Sequence, residues 1–205
     1  MPKFGIICEG ATDYAVIDNI LDGYYQDKHE KSNSLQPLLD ATDRQKETGG
    51  WELVLNYCRN SEKFKEARLY HDTIIVQIDT DHISEDKDFS GIDTNLEINQ
   101  LYKVYESRLI QIIGEELITK YRQKIIFAIS IHSIECWLLP LFCNLPKEKE
   151  HQVNCFNKLE RCYKGKIVKT NKFYDSLSKD FRKFKELERA SKENSSLGIF
   201  MNQLV

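Results

Sequence analysis

The chain has 205 residues, 41% of them hydrophobic and 30% charged, which is enough for one substantial core and too few for a second independent one. A net charge of −3 argues against a protein that wraps nucleic acid by bulk electrostatics. The charge is uneven, because residues 151–205 carry 12 Lys and Arg against 6 Asp and Glu. That segment has a charge of +6, which leaves −9 for residues 1–150, so the C-terminal part could approach an anionic polymer.

We expect a cytoplasmic protein without a membrane partner. The sequence has no apolar run of about eighteen residues, and its N-terminus enters a strand-like segment without a charged and apolar leader. In such a protein the six cysteines predict reduced core thiols rather than a disulfide framework. His132, Cys136 and Cys143 could be imagined as zinc ligands, but their spacing fits no usual structural zinc site.

The first elements predict a strand, a turn and a helix. Lys3 to Cys8 is nearly all apolar, as in a strand buried on both faces of a parallel sheet, and Glu9-Gly10 closes it. Thr12 is a possible N-cap for a helix that runs from Asp13 to Tyr25.

The middle of the chain repeats this alternation. Leu35 to Ala41 could form a second strand, followed by a polar loop over Thr42 to Gly50. A helix is indicated from Trp51 to Cys58. The run from Asp72 to Ile78 is β-branched and apolar, which predicts a central strand that continues into Asp79-Thr-Asp81.

The remaining elements complete an α/β pattern. Residues 83–95 suit an exposed loop, and apolar positions from Ile98 to Leu117 predict one long amphipathic helix. Lys124 to Ile131 reads as another buried strand, with a helix starting near Glu135. Beyond Pro146 the chain is polar and basic until a closing helix over residues 197–204. Strands alternating with helices predict a parallel sheet.

Acidic residues follow three of the predicted strands. Glu9 ends the first, Asp79 and Asp81 end the central one, and Glu135 lies shortly after the last. In open parallel sheets ligands bind at the carboxyl ends of the strands. Carboxylates gathered there would repel one another unless a hard cation such as Mg²⁺ or Mn²⁺ neutralised them. Each motif alone is better explained as an ordinary turn, whereas the three together favour a metal site.

These residues resemble the signature of the Toprim domain. The pattern Cys-Glu9-Gly10-Ala-Thr-Asp13, followed by Ile-Asp79-Thr-Asp81 after an apolar strand, is similar to its strand-end Glu and its DxD. The later Ile-His-Ser-Ile-Glu135-Cys-Trp137-Leu-Leu resembles small bacterial Toprim-like proteins related to the overcoming-lysogenization-defect nucleases. The resemblance spans roughly residues 3–140, with a weaker echo at 195–204.

The resemblance implies a Toprim-like, Rossmann-like catalytic core over residues 1–145 and a basic helical extension over 146–205 packed on it. It implies Glu9 as a metal ligand or general acid/base, Asp79 and Asp81 as ligands, and Glu135 as ligand of a second metal. The implied activity is metal-dependent hydrolysis of DNA or RNA in antiviral defence. The chain lacks the fused ATPase of larger relatives, so ATP-driven control would come from a separate partner protein. A homo-oligomer stays open.

Basic side chains are candidates for binding the substrate backbone. Arg44 and Lys46 could hold a scissile phosphate if their loop lies over the strand ends, although such charges are often only solvated. The C-terminal run could track nucleic acid or form a solvated face; its members are Lys164, Lys166, Lys169 and Lys172. We expect His82 to be a surface residue and Trp137 a core residue.

Two other functions remain open. A glycosyltransferase would also use a DxD after a strand, but it does not require Glu9, and the short chain leaves little room for an acceptor site. The chain could also be a non-catalytic interaction module or a toxin subunit that acts only in a complex. Retention of all four acids argues against a degenerate domain.

Overall fold

A computed structural model describes residues 1–26, 28–42, 44–46, 48–144 and 153–204. It confirms an α/β fold with a four-stranded parallel sheet and helices on both faces. The strands, in the spatial order β2-β1-β3-β4, are β1 (Phe4–Ile7), β2 (Asn33–Gln36), β3 (Thr73–Asp79) and β4 (Ile125–Ser130).

The helices of the described residues follow the strands in the alternation that the sequence predicts. On the N-terminal side they are α1 (Ala11–Tyr25), α2 (Trp51–Arg59), α3 (Ser61–Tyr70), α4 (Ile98–Ile113) and α5 (Glu115–Tyr121). After β4 they are α6 (Glu135–Phe142), α7 (Cys155–Tyr163), α8 (Asn171–Ser178), α9 (Phe184–Glu193) and α10 (Ser195–Met201). Within the described part of the chain, none of these helices combines the length and the hydrophobicity that a membrane span requires.

The sheet separates two apolar cores, because successive side chains of a strand point to opposite faces. On β1, Ile6 faces a cluster built with α1 and the helices from α6 onward, whereas Ile7 faces the cluster of α2 to α5. The same alternation places Ile75 and Val76 of β3 in different cores. Burial on both faces explains why β1, β3 and β4 are nearly continuous apolar runs, whereas the edge strand β2 is polar and only partly buried.

The C-terminal helices belong to the core on the α1 side. The Trp137 ring is fully buried, as expected, and stacks on Phe200 with centroids 5.4 Å apart. Its indole Nε1 donates to Ser196 Oγ at 2.8 Å. Gly23 of α1 lies so close to the Phe181 carbonyl that an added Cβ would stand 1.8 Å from its oxygen. The proposed boundary between residues 145 and 146 lies outside the described residues, and the domain division stays a prediction.

The β4 edge of the sheet is covered by a side chain from the C-terminus. Gln203 accepts from the Phe127 N–H at 3.2 Å and donates to the Phe127 carbonyl at 3.0 Å, so its amide replaces a neighbouring strand for one residue of β4. The Tyr102 hydroxyl donates to the same carbonyl. This pairing protects an edge that would otherwise offer unpaired backbone groups.

Several predicted boundaries are wrong. Thr12 is not an N-cap, because α1 begins at Ala11 and the Thr12 hydroxyl donates to Asp13. The second strand is Asn33–Gln36 rather than 35–41, since Pro37 has no N–H for a sheet ladder.

The long helix over 98–117 is divided in two. Gly114, with φ of 97°, separates α4 from α5, because a left-handed backbone conformation cannot continue an α-helix. Four helices were not predicted from the sequence: α3, α7, α8 and α9. They are short, at most ten residues each, and packing against the rest of the fold supplies the stability that propensity alone does not.

The expectation of reduced thiols is wrong for four cysteines. Cys136 is bonded to Cys155 and Cys143 to Cys162, whereas Cys8 and Cys58 are free and buried. The expectation rested on a cytoplasmic location, which stays a prediction. Spacing along the sequence gives no pairing, because the partners meet only when α7 packs beside α6.

Candidate active site

The carboxyl ends of β1, β3 and β4 open into one acidic cleft of about 660 Å³. Five carboxylates line this cleft: Glu9, Asp13, Asp79, Asp81 and Glu135. The fold therefore brings together the four acidic residues singled out in the sequence and adds a fifth. The parallel register explains the convergence, because Ile7 of β1 pairs with Val76 and Asp79 of β3 pairs with Ser130 of β4.

A hydrogen-bond network fixes the ends of β1 and β3 to each other. Glu9 Oε1 accepts from the Asp79 backbone N–H at 2.7 Å. The buried Gln77 side chain accepts from the Glu9 N–H at 3.2 Å and donates to Asp79 Oδ1 at 2.8 Å. Gln77 lies two residues before Asp79 on the same strand face, so the two side chains are neighbours. Sequence reasoning missed Gln77, although a Gln in an apolar strand is a visible signal.

Glu135 is buried at the start of α6 and has two partners from the C-terminal helical region. Its Oε1 accepts from the Tyr174 hydroxyl at 2.6 Å and lies 3.5 Å from Lys169 Nζ. The Lys169 ammonium also lies 4.8 Å from the centroid of the Phe156 ring. Burial, followed by the nearby Glu135 charge, raises the pKa of Tyr174, which therefore stays protonated and donates to Glu135.

Asp13 is the acidic residue that sequence reasoning left without a role. It belongs to the motif that begins at Glu9, but the helical periodicity of α1 drew attention to its apolar neighbours instead. In the structure Asp13 is 5% exposed, and its Oδ2 accepts from the Thr12 hydroxyl at 3.2 Å. Asp13 lies in the first turn of a helix that follows a strand ending in an acidic residue, and this position is the signal that could have identified it.

The carboxylates raise one another's proton affinity. Burial, and then the charge of Asp13, raises the pKa of Glu9 to about 8. Burial, and then the charge of Glu135, raises the pKa of Asp13 to about 7. Burial and the same neighbours hold the pKa of Asp79 well above its usual range. These shifts indicate negative charge that nearby cations of the chain do not fully compensate.

The donor set of the acidic cleft fits a hard divalent cation such as Mg²⁺ or Mn²⁺, because its charged ligands are carboxylate oxygens. Among the described residues, the three-ligand group close enough to hold a metal ion is His132, Cys136 and Cys155, and these carboxylates form no such group. Mg²⁺ usually keeps several waters and binds through one or two carboxylates, so a spread arrangement suits it. Asp79 and Asp81 both line the cleft, as their two-residue spacing predicts.

A basic groove adjoins the acidic cleft. It is lined by Arg44, Lys169 and Lys172 and shares Thr12, Gln45 and Lys169 with the cleft. Lys46, in contrast, is exposed and, in the part of the chain that the structure describes, lines neither the cleft nor this groove. The fold thus brings together Arg44, Lys169 and Lys172, three of the basic residues that the sequence offers for binding a substrate backbone.

The two histidines near the cleft differ in their surroundings. The His82 side chain is 71% exposed and stands 3.8 Å from Asp81, in agreement with the expected surface position. His132 has its backbone carbonyl against the Asp79–Asp81 turn, where it accepts from the Thr80 N–H at 2.8 Å and the Asp81 N–H at 3.1 Å. Sequence reasoning considered His132 only as a zinc ligand and missed this structural role.

The chain was compared with protein-family models, with curated proteins and with solved structures. No match was found. The Toprim resemblance therefore rests on the motifs around Glu9, Asp79 and Glu135 alone.

Proposed function

We propose that the chain is a divalent-metal-dependent nuclease that hydrolyses phosphodiester bonds of DNA or RNA. The observation that carries the proposal is the set of five carboxylates at three adjacent strand ends, directly beside a groove lined by three cations. Metal-dependent phosphodiester hydrolysis uses both features, since carboxylates hold the metal and basic side chains position the substrate backbone. In keeping with the Toprim resemblance, we place this activity in antiviral defence, with a separate ATPase as its partner.

When bound, Mg²⁺ or Mn²⁺ would supply an activated water and charge stabilisation at the phosphate. Glu9, Asp79 and Asp81 are the ligands that we propose for it, with Glu135 for a second ion. Lys169 then orients a substrate phosphate at the junction of the cleft and the groove. Tyr174 holds Glu135 in place through its hydroxyl.

Asp13 is suited to take a proton from the attacking water. In the metal-free protein its pKa is raised to about 7, and a carboxylate of raised pKa is a stronger base than an ordinary one. Thr12 fixes the orientation of its carboxylate. This role adds a residue to the site implied by the sequence resemblance.

A glycosyltransferase is a weaker explanation of the same cleft. Its DxD would account for Asp79 and Asp81, but not for Glu9, Asp13 and Glu135 around them. A non-catalytic module would not need to maintain the buried carboxylate of Asp13, which costs folding free energy when no cation is bound.

The first experiment is cleavage of plasmid DNA, single-stranded DNA and tRNA by purified protein with Mg²⁺ or Mn²⁺. We expect cutting that is lost in Glu9→Ala and in Asp79→Ala/Asp81→Ala. Glu116→Ala, which removes an exposed acid on α5, is the matched control and should cut normally. Absence of both cutting and metal binding by calorimetry would sink the metal-site proposal; metal binding without cutting would direct the search to an activating partner.

The basic groove makes a separate prediction about binding. We expect Arg44→Ala, Lys169→Ala and Lys172→Ala each to weaken single-stranded DNA binding roughly three- to tenfold at low salt, because each removes one ion pair with a phosphate. The dependence of log K on log salt should become shallower by about 0.7 for each ion pair removed. Fluorescence anisotropy with a labelled oligonucleotide in Ca²⁺ or EDTA measures both quantities without cleavage.

Lys46→Ala and Lys103→Ala are the controls for this experiment, since both residues are exposed and line neither the groove nor the cleft. They remove the same net charge as the groove variants. Equal weakening by all five substitutions would mean that the groove has no special role and that binding follows net charge alone.

A further inference from the structure

The two disulfides connect α6 and α7 at both ends. Cys136 and Cys143 are seven residues apart, as are Cys155 and Cys162, so each pair is separated by two helical turns, about 10.5 Å. The N-terminal members are bonded to each other, and so are the C-terminal members. The two helices therefore run side by side in the same direction, and both begin at the acidic cleft.

The Cys136–Cys155 bond lies directly behind the cleft. Cys136 follows Glu135 in sequence, and the start of α7 contributes Asn154, Phe156 and Asn157 to the lining of the cleft. Phe156 in turn contacts Lys169, the cation that pairs with Glu135. Moving the first turn of α7 would thus displace one wall of the site and the only Lys or Arg among its described lining residues.

His132 connects α7 to the Asp79–Asp81 turn. Its Nε2 accepts from the Asn154 backbone N–H at 3.1 Å, while its carbonyl accepts from the Thr80 and Asp81 N–H groups. Its own N–H donates to Thr80 Oγ1 at 2.7 Å. A change in the position of Asn154 therefore reaches Thr80 and Asp81 through His132, and the Thr80 N–H also donates to the Ser130 carbonyl of β4 at 3.2 Å.

The His132 ring also faces the Cys136–Cys155 bond. One of its nitrogens lies within 4.8 Å of both sulfurs. Because Nε2 is an acceptor, the proton of a neutral ring is on Nδ1, and Nδ1 is buried without a hydrogen-bond partner among the described residues. His132 adopts φ of 74°, a strained conformation for a non-glycine residue.

We propose that the two disulfides are a redox-responsive site, in which oxidation fixes α7 against the acidic cleft and reduction by a dithiol releases it. Disulfides in reducing compartments usually respond to redox conditions rather than serve only as static cross-links. The site would make the cleft competent under oxidising conditions. This goes beyond the proposed nuclease activity, because it concerns the position of α7 with or without substrate.

The exchange begins at the accessible bond. Cys162 is partly exposed, whereas Cys136 and Cys155 are fully buried. A thiolate of the dithiol attacks Cys162 Sγ, the bond to Cys143 breaks, and a mixed disulfide forms. The second thiol of the reductant then attacks the reductant sulfur of the mixed disulfide and releases Cys162 as a thiol. The reductant leaves as a cyclic or protein disulfide, so two electrons and two protons pass to the chain. The Cys136–Cys155 bond follows once the C-terminal end of α7 is released.

Alkylation with mass spectrometry tests the chemistry. Alkylation of the oxidised chain after denaturation should detect two reactive thiols, Cys8 and Cys58. After complete reduction it should detect six. At limiting dithiothreitol, Cys143 and Cys162 should react before Cys136 and Cys155. Six thiols after treatment with oxidised dithiol would overturn the proposal. So would tightly bound zinc held by His132, Cys136 and Cys155, because the cysteines would then be metal ligands.

Hydrogen exchange tests the coupling without metal or nucleic acid, so its outcome does not depend on the proposed nuclease. Reduction should speed exchange at least tenfold at the Thr80 and Asp81 amides and in α7, with β1 unchanged, and reoxidation should reverse it. Calorimetry should then show Mn²⁺ binding weakened about tenfold in the reduced protein. Unchanged exchange at Thr80 and Asp81 would overturn the coupling.

A double variant separates the disulfide from general effects of the reductant. Cys136→Ala/Cys155→Ala, which removes the bond behind the cleft, should show the fast exchange of the reduced protein even under oxidising conditions. Cys58→Ala, which removes a free thiol of the opposite core, should respond to reduction as the wild type does. If the double variant does not fold, hydrogen exchange of the wild type through a cycle of reduction and reoxidation still tests the coupling.

Discussion

Replacing Asp79 by Asn is expected to stabilise the metal-free protein while it removes metal-dependent activity. Asp79 is a partly buried carboxylate at the end of β3. Burial raises its pKa, and the charges of Asp13, Glu9 and Glu135 raise it further. An amide keeps an oxygen that can accept from Gln77 Nε2 and carries no charge. We expect a gain of about 1–3 kcal/mol in the free energy of unfolding, or roughly 3–10 °C in the midpoint.

The same substitution should remove the response to metal. A cation at 100 times its Kd stabilises the wild type by about 2.7 kcal/mol, and a neutral amide at position 79 cannot replace the charged ligand. Cleavage should fall by roughly a thousandfold, as expected when a ligand that holds the reactive ion is lost. Differential scanning fluorimetry with EDTA or Mn²⁺, together with the cleavage assay, measures all three effects.

The control for this prediction is Asp93→Asn, which neutralises an exposed carboxylate outside the cleft. It should leave the midpoint, the response to Mn²⁺ and cleavage nearly unchanged. If Asp79→Asn instead destabilises the metal-free protein, contacts within the chain compensate the negative charge at this position. The carboxylates of the cleft then do not destabilise the metal-free protein.

The stability of the metal-free protein is expected to fall as pH rises from about 5 to about 8. The pKa of Glu9 rises from 4.5 to about 8 on folding and that of Asp13 from 3.8 to about 7, chiefly through burial. Between the unfolded and folded pKa values the folded chain binds more protons than the unfolded chain, so raising the pH favours unfolding. The stabilisation from Glu9 and Asp13 is fully present below their pKa values in the unfolded chain. It is lost once the pH passes their pKa values in the folded chain.

Bound metal should reverse this dependence, because cation binding competes with the protons. We expect the Mn²⁺-induced rise in midpoint to be small at pH 5 and several degrees at pH 8. Urea unfolding at fixed steps of pH, with EDTA or Mn²⁺, tests this directly. Glu9→Gln should flatten the pH dependence of the metal-free protein; a wild-type profile that is already flat would contradict the raised pKa values.

The amino-acid sequence determined the main architecture and most of the acidic site. Continuous apolar runs such as Asp72 to Ile78 have the pattern of strands buried on both faces, and their alternation with helices leads to a parallel sheet. Parallel strands place their carboxyl ends at one edge, so Glu9, Asp79 and Asp81 could be expected to meet. These features follow from local periodicity and chain direction alone.

Other features depended on contacts between segments far apart in sequence. Asp13, Gln77 and Tyr174 gain their importance from distant neighbours, as in the hydrogen bond between Tyr174 and Glu135 across 39 residues. The Gln77 side chain likewise reaches the Glu9 N–H across 68 residues. The grouping of Lys169 with Arg44, but not with Lys46, is set by how the loops lie over the strand ends.

Tertiary packing alone decided the state of the cysteines and the C-terminal helices. Helices such as α7 and α9 have at most ten residues, and short helices of this kind are stable only when a buried face packs on the rest of the fold. A disulfide requires two Cα atoms within about 7 Å, a condition that spacing in sequence does not reveal. Local patterns thus determined the sheet and its acidic edge, whereas the side-by-side packing of α6 and α7 decided which residues enclose that edge.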